Sequence, residues 1–587
     1  MKNLNCDSKI MTIFDQSACS IAERGIPTKG QPSGRWRVIS YLLPCLLATI
    51  GILLCVSGGW AAATDVYVTQ NGSGGQNGTS LANSFPIGAL SSSSNCGSGF
   101  NQIGPDTVVH INANASGTGT ANFPANGTMF SFQCDGTNGH PLILQFQAGD
   151  IWQAPYFSAS AAIQISNRSF VTIDLGGATI QDTLNGTPGF TCPGGPCTSQ
   201  KLSVLIQALH CNTCEIRNGT LANVYVHQQC EGSAKCDGSG DTSHNAIQYG
   251  GSNFKAHDLT MHDVTWVMLQ NASVGDDNIQ IYNNDIYHMD HGIACGAGPG
   301  VTVGHMYIHD NHFHDMATFD TGVLDANHHD GIHCFSSLNT GKIQNIYIYN
   351  NLFDGNQGQC CVTAWVFLEG GSGSGATPWT DKTGTAFVFN NVFVGSLDIG
   401  NGQLSVNAGT GHKIYNNVIM QTGPQQSGGK CFNARGSAGT EAITFVNNAV
   451  QGCAQAYSFD NAVSIVAMNN NAYANLTGQG NETFNWTGHT SGNVNSLSAW
   501  RSVCNCDANS VGGTSGTLSL SNTGIPQTGS MVVGIGTNLT SAGIAGLTLD
   551  KAGNPRPSAG AWDVGAYSSG VASSLPAPPD GLKAVVN

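Results

Sequence analysis

Thirteen of the 18 histidines lie between His227 and His333. The same window is dense in Asp, yet it holds no Glu from 232 to 368 and no Arg from 218 to 434. A solvated surface normally mixes Lys and Glu with Asp. Short acids beside imidazoles suit other work, namely proton transfer near neutral pH or the gripping of a metal ion. Two segments concentrate these residues, Asp290-His291-Gly292-Ile293 and His328-His329-Asp330-Gly331-Ile332-His333. Aligning Ile293 with Ile332 sets Asp290 beside His329 and His291 beside Asp330, then Ala294 beside His333 and Cys295 beside Cys334. In stacked β-coils such positions lie about 4.8 Å apart. Two His/Asp pairs then form on opposite sides of one strand, at most one pair faces solvent, and the two cysteines are close enough to bond. Asp290, His291, His329, Asp330 and His333 are therefore the candidate catalytic residues.

The elements that position them follow from a repeat. Around a doublet that is usually Asn-Asn, the chain reads IYNNDI (281–286), IHDNHF (308–313), IYNNLF (348–353), VFNNVF (388–393), IYNNVI (414–419), FVNNAV (445–450) and MNNNAY (468–473). Register marks at Asn284, Asn311, Asn351, Asn391, Asn417, Asn448 and Asn470 step by 22 to 40 residues. Weaker copies are EIRNGTL (215–221) and KAHDLTM (255–261). Each is an alternating β-branched and aromatic run around a polar bend. A second element, Asn245-Ala246-Ile247, His291-Gly292-Ile293 and Asp330-Gly331-Ile332, recurs between them. Short strands at this period predict an all-β fold, a right-handed parallel β-helix, with Asn at left-handed corners and in stacks between coils. From the doublet to the Gly-Ile element takes 9 residues in one unit (Asn284 to Ile293) and 21 in the next (Asn311 to Ile332). The added stretch, 317–328, carries Asp320 and Asp325, and insertions at such corners commonly wall a groove. With Asp276 and Asp277 these make the candidate substrate-binding set. The bland alternative is that Asp-Gly-Ile only turns a corner.

Composition narrows the class. Charged residues are only 9% of the 587, with 77 glycines and 40% hydrophobic residues, which disfavours long helices and wholesale disorder alike. Residues 38–57 form an apolar run behind Arg35 and Arg37, ahead of Ala61-Ala62-Ala63, which reads as an export signal with an uncleaved membrane anchor as the rival. Removing 1–63 leaves 14 basic and 32 acidic residues, net −18, which argues against nucleic acid as a partner. It also leaves 16 cysteines, an even number that favours disulfides in a secreted, periplasmic or surface protein, with Cys192/Cys197, Cys211/Cys214, Cys230/Cys236 and Cys504/Cys506 as local pairs. Zinc at His210-Cys211-x-x-Cys214 is a minor alternative. The expected organisation is an N-terminal extension (1–63), one β-helix domain (64–570) and a Pro-rich tail (571–587), acting as a monomer.

The opening Asp65-Val-Tyr-Val-Thr-Gln-Asn-Gly-Ser, the closing Leu549-Asp550-Lys-Ala-Gly-Asn-Pro-Arg-Pro557 and Trp562-Asp-Val-Gly-Ala-Tyr567 resemble the ends of secreted bacterial right-handed parallel β-helix proteins. That group includes pectate-lyase-like and polygalacturonase-like enzymes. The resemblance implies a polysaccharide partner and leaves the chemistry open, because the fold hosts lyases, hydrolases, epimerases and non-catalytic surface proteins. Three chemistries compete. Two carboxylates about 5–9.5 Å apart, from Asp276, Asp277, Asp290, Asp325 and Asp330, could hydrolyse a glycosidic bond. His329 or His333 could abstract a proton beside a uronate carboxylate neutralised by a cation such as Ca²⁺. Or His and Asp could hold zinc or calcium. The balance favours binding and cleavage of a neutral or weakly acidic glycan by hydrolysis. The rival is an adhesion or structural β-helix.

Overall fold

A computed structural model describes residues 65–569 apart from 100, 186–201, 225–243, 274, 299, 317–328, 337–340, 358–361, 371–385, 397–401, 408–410, 424–428, 436–440, 477–482 and 491–493. The export segment, the Pro-rich tail, the insertion with Asp320 and Asp325, and the pairs Cys192/Cys197 and Cys230/Cys236 lie outside the described residues.

Alternating Val, Ile and Phe drive short strands whose partners come from the next coil, so every ladder between strands is parallel. A continuous ladder joins 35 strands into a right-handed parallel β-helix. Inside it, one residue per coil stacks into an apolar column: Ile206, Ile247, Met268, Ile293, Ile332, Val366, Leu404, Phe432, Tyr457 and Phe484. All ten are fully buried. At about 25 cal/mol per Å² of apolar surface removed from water, such columns supply most of the driving force.

The two residues of each Asn doublet have different jobs. The first takes the left-handed conformation that turns the corner, as at Asn283, Asp310, Asn350, Asn390, Asn416 and Asn447. The second is buried and passes an amide hydrogen bond to the next coil. Nδ2 of Asn284, Asn311, Asn351, Asn391 and Asn417 each donates to the following Oδ1 at 2.9–3.0 Å. The ladder ends on Asn471, whose Oδ1 accepts from the Asn448 backbone N–H at 2.9 Å. The last register mark is thus Asn471 and not Asn470: in the Asn triplet, Asn470 has φ 54° and is the corner.

Both end motifs find places. Asp65–Thr69 pairs with Val108–Asn112 in the first described coils. The closing segment lies on the outside of later coils. Leu518, Val532, Val564 and Ala566 pack on Val392, Val418 and Ala449, while Leu547 and Trp562 pack on Phe389, Tyr415 and Val446. Arg556 bonds Asn390 Oδ1 at 3.0 Å and the Gly565 carbonyl at 2.9 Å.

Five disulfides stand among the described residues: Cys96–Cys134, Cys211–Cys214, Cys295–Cys334, Cys431–Cys453 and Cys504–Cys506. The expected pairs Cys211/Cys214, Cys504/Cys506 and Cys295/Cys334 are among them. The first consumes the sulfurs that a zinc site at His210-Cys211-x-x-Cys214 would need. No described helix is long and apolar enough to cross a membrane.

Candidate functional site

Four long strands from successive coils carry the site: Lys255–Gln270, Asp285–Ala297, His329–Ser336 and Val362–Gly370. The expected register is present, with His291 opposite Asp330, Ala294 opposite His333 and Cys295 opposite Cys334. One coil departs from the repeated motif. Trp266-Val267-Met268 sits between Asn245-Ala246-Ile247 and His291-Gly292-Ile293, opposite His291 and Ile293. It lacks the polar-small-Ile signature.

The Gly-Ile element explains why these side chains meet. A Cβ on Gly292 would lie 2.3 Å from the Gly331 carbonyl oxygen and 2.9 Å from the Phe313 ring, and one on Gly331 would lie 2.6 Å from the Trp365 carbonyl oxygen. Both glycines therefore face the core, and so do the isoleucines that follow. Two consecutive inward residues break the strand's alternation. The residues flanking the break, His291 and Ala294 in one coil and Asp330 and His333 in the next, share the other side.

There the rings stack across four coils. Trp266 lies 4.0 Å from His291, His291 lies 5.4 Å from His333, and His333 lies 5.1 Å from Phe367. Asp330 Oδ2 stands 3.4 Å from His291 Nε2 and 3.8 Å from His333 Nδ1. Each imidazole is held at its other nitrogen by a carboxylate: Asp290 Oδ1 at 3.0 Å from His291 Nδ1, and Glu369 Oε2 at 3.1 Å from His333 Nε2. Those bonds set which nitrogen of each ring turns inward, the arrangement by which outer carboxylates orient metal-binding histidines. His329 Nε2 lies 3.8 Å from Asp290, completing the second expected pair.

Neither pair faces solvent. Asp290, His291, His329, Asp330 and His333 are all buried, none more than 4% exposed. That neither opens to water agrees with the expectation of at most one solvent-facing pair, whereas the 3.0 Å contact of Asp290 with His291 corrects the expectation that the two pairs lie apart on opposite sides of the strand. Burial, reinforced by the nearby Asp290 charge, holds the Asp330 carboxyl well above the usual range. Burial also lowers His333, against the opposing pull of Glu369.

The substrate-binding candidates fall elsewhere. Asp276 is buried in the turn before Ile279–Tyr282, where its carboxylate accepts from the Ser273 N–H at 3.0 Å. Burial raises its pKa, with the Ser273 and Gly251 N–H groups opposing. Asp277 is half exposed and pairs with His305 at 3.1 Å. The partners named for these two acids belong to that turn and its neighbours, not to the buried cluster. Asp320 and Asp325 lie outside the described residues. Sequence reading missed Glu369, whose strand position pairs with Phe335 of the preceding coil. Carrying the Ile293–Ile332 alignment forward to Val366 would have found it. Among nearby aromatics, Trp365 and Phe393 are core, Phe367 stacks on His333, and Phe387 stacks on Tyr347 with Lys413 over its ring.

The donor set tests the cations considered above. Calcium takes six to eight oxygen ligands, and two imidazoles with one carboxylate do not fit it. His₂Asp suits a borderline ion such as zinc, and His291 Nε2, Asp330 Oδ2 and His333 Nδ1 are the atoms that would hold one.

No family model matches the chain, and no curated protein matches it. Among solved structures it is similar to the pectate lyase Pel9A (14% identity, TM-score 0.34, covering 87% of this chain and 97% of that one). It is also similar to a hyperthermoactive exopolygalacturonase from Thermotoga maritima (9%, 0.30, 61% and 80%) and to a rhamnogalacturonan lyase (13%, 0.33, 70% and 87%). Overlap this loose decides nothing about activity; the parallel β-helix itself stands on its strand register.

Proposed function

We propose that the chain is an exported carbohydrate-active enzyme that hydrolyses a polysaccharide lying across the long-strand side of the β-helix, at the His291–Asp330–His333 cluster. The observation that carries this reading is the convergence of two imidazoles on one carboxylate, each ring fixed from behind by a second carboxylate. A chain that only needed to turn a corner would not clamp both rings. A borderline divalent ion bound there would supply Lewis-acid activation of water or of a substrate oxygen. The chain's own groups do the rest. Asp290 and Glu369 keep the imidazoles in the required tautomers, and Glu369, whose side chain is 19% exposed, is the member of the cluster that substrate meets first. Trp266 and Phe367 bracket the stacked histidines and keep the site dry. Disulfides through the coils support export to an oxidising compartment, and the mature charge of −18 favours a neutral or weakly acidic glycan over a strongly anionic one.

One observation favours a second reading. Burial of all five histidines and aspartates suits an internal polar pin in a non-catalytic surface protein. A panel of polysaccharides, read for new reducing ends and for the ultraviolet absorbance of an unsaturated product, separates the two. Hydrolysis gives reducing ends without absorbance, and elimination gives both. His333→Ala, which removes an ion-holding imidazole, and Glu369→Gln, which removes the carboxylate that orients it, should each lower the rate roughly 10- to 100-fold or more. Parent-like rates in both variants would move the assignment to the structural reading.

A further inference from the structure

A second group of two histidines and one aspartate stands at the opening of the strand that also carries His291 and on the short strand beside it, and plays no part in the proposed reaction. Asp285 opens the strand Asp285–Ala297, and the short strand His312–His314 lies beside it in the next coil, with Asp285 opposite His312 and Tyr287 opposite His314. Alternation along the short strand puts His312 and His314 on one face with their rings stacked at 4.3 Å. One oxygen serves both: Asp285 Oδ1 lies 3.3 Å from His312 Nδ1 and 3.2 Å from His314 Nε2. The far nitrogens are taken by other carboxylates, His312 Nε2 by Asp354 at 2.8 Å and His314 Nδ1 by Asp315 at 2.8 Å. Tyr287 stacks on His314 at 4.8 Å.

Two features separate this arrangement from ordinary surface ion pairs. An isolated His–Asp pair needs one nitrogen and one oxygen, whereas here each ring is fixed from outside while its inner nitrogen turns towards a shared oxygen. The spacing also fits an ion. Ligands bonded at about 2.0–2.1 Å in a tetrahedron stand roughly 3.3–3.4 Å apart, close to both distances to Asp285. We infer that Asp285, His312 and His314 form a binding site for a borderline divalent transition cation of the zinc class, with Asp315 and Asp354 orienting the two imidazoles. Two nitrogen donors out of three exclude calcium as the preferred ion. The side chains of Asp285 and His312 are 39% and 40% exposed, so the remaining coordination positions open to water. A bound ion ties the coil of Asp285 to the coil of His312 and His314, with the coil of Asp354 held through its hydrogen bond.

The test uses the full chain, stripped with a chelator and titrated with Zn²⁺ by calorimetry, with thermal unfolding followed in parallel. His312→Ala/His314→Ala should bind one zinc equivalent fewer than the parent, with a smaller zinc-induced rise in Tm. Asp354→Asn keeps all three ligands and should weaken that equivalent about 10- to 100-fold, which covers the case in which the double variant folds poorly. His291→Ala should leave this equivalent in place, separating the site from the proposed catalytic cluster. Unchanged zinc stoichiometry in the double variant, or unchanged affinity in Asp354→Asn, would overturn the assignment.

Discussion

The buried His291–Asp330–His333 group and the open Asp285–His312–His314 group contain the same residue types, each ring backed by an outer carboxylate. Their electrostatics run in opposite directions. At the buried group, desolvation and the neighbouring Asp290 push Asp330 up, and His333 falls. At the open group, burial opposes the pairing but loses. Hydrogen bonds from His312 and His314 hold Asp285 well below the ordinary carboxylate range, while bonds to Asp285 and Asp354 push His312 up to about 9. Composition therefore does not set the charge state of a His/Asp cluster. Water does, because an ion pair that remains partly solvated keeps most of its hydration energy, and one sealed among aromatic rings does not.

Ways to sharpen that comparison can be ranked by expected effect. The largest lies in the core ladder, where a polar group is buried yet fully paired. Asn351→Ala removes the amide that donates to Ile308 O and Asn391 Oδ1 and leaves the Asn311 N–H without its acceptor. It should cost roughly 3 kcal/mol in urea unfolding. The adjacent corner should behave differently: Asn350→Gly close to neutral, and Asn350→Ala destabilising by about 1 kcal/mol through left-handed strain. Equal losses at positions 350 and 351 would erase the division of labour within the doublet.

The next test isolates burial from pairing. His412 is fully buried, its Nδ1 accepts from the Ala386 N–H at 3.2 Å, and burial pushes it down to about 4. The unfolded chain, titrating near 6.5, binds more protons between those values, so folding loses stability as pH falls from about 6.5 to 4 and loses nothing further below. The loss is on the order of 3 kcal/mol. His412→Gln, which cannot titrate there, should flatten the pH profile of the urea midpoint over that range. A parallel profile would mean that burial alone does not govern this imidazole.

The smallest effect is expected at the half-exposed pair of Asp277 with His305. Asp277→Asn should change stability by under about 1 kcal/mol, since exposed ion pairs gain little net energy. If Asp277 also binds glycan, the variant raises KM and leaves kcat alone. An unchanged KM removes it from the substrate-binding set.

Much of this architecture was legible beforehand. The period, the alternation and the Asn doublets announce a parallel β-helix, because stacking coils is the only way such short strands bury their apolar faces. The alignment of Ile293 with Ile332 placed His291, Asp330, His333 and the Cys295–Cys334 bond correctly, since register in a parallel ladder transmits position one coil at a time. It failed where the local signature changed. Trp266-Val267-Met268 was invisible as a coil, Asn470 stood in for Asn471, and Glu369 went unnoticed beyond the histidine window.

Which residues share a coil position can be read from the chain, because that depends only on periodicity and on which side chains tolerate a corner. Which way those residues face, and how much water they keep, depends on contacts between coils. Gly292 and Gly331 turn inward where Phe313 and Trp365, residues 21 and 34 positions further along the chain, leave no room for a Cβ. Burial of one His/Asp group and exposure of the other follow from what packs against each, a property of the assembled coils that no local pattern encodes.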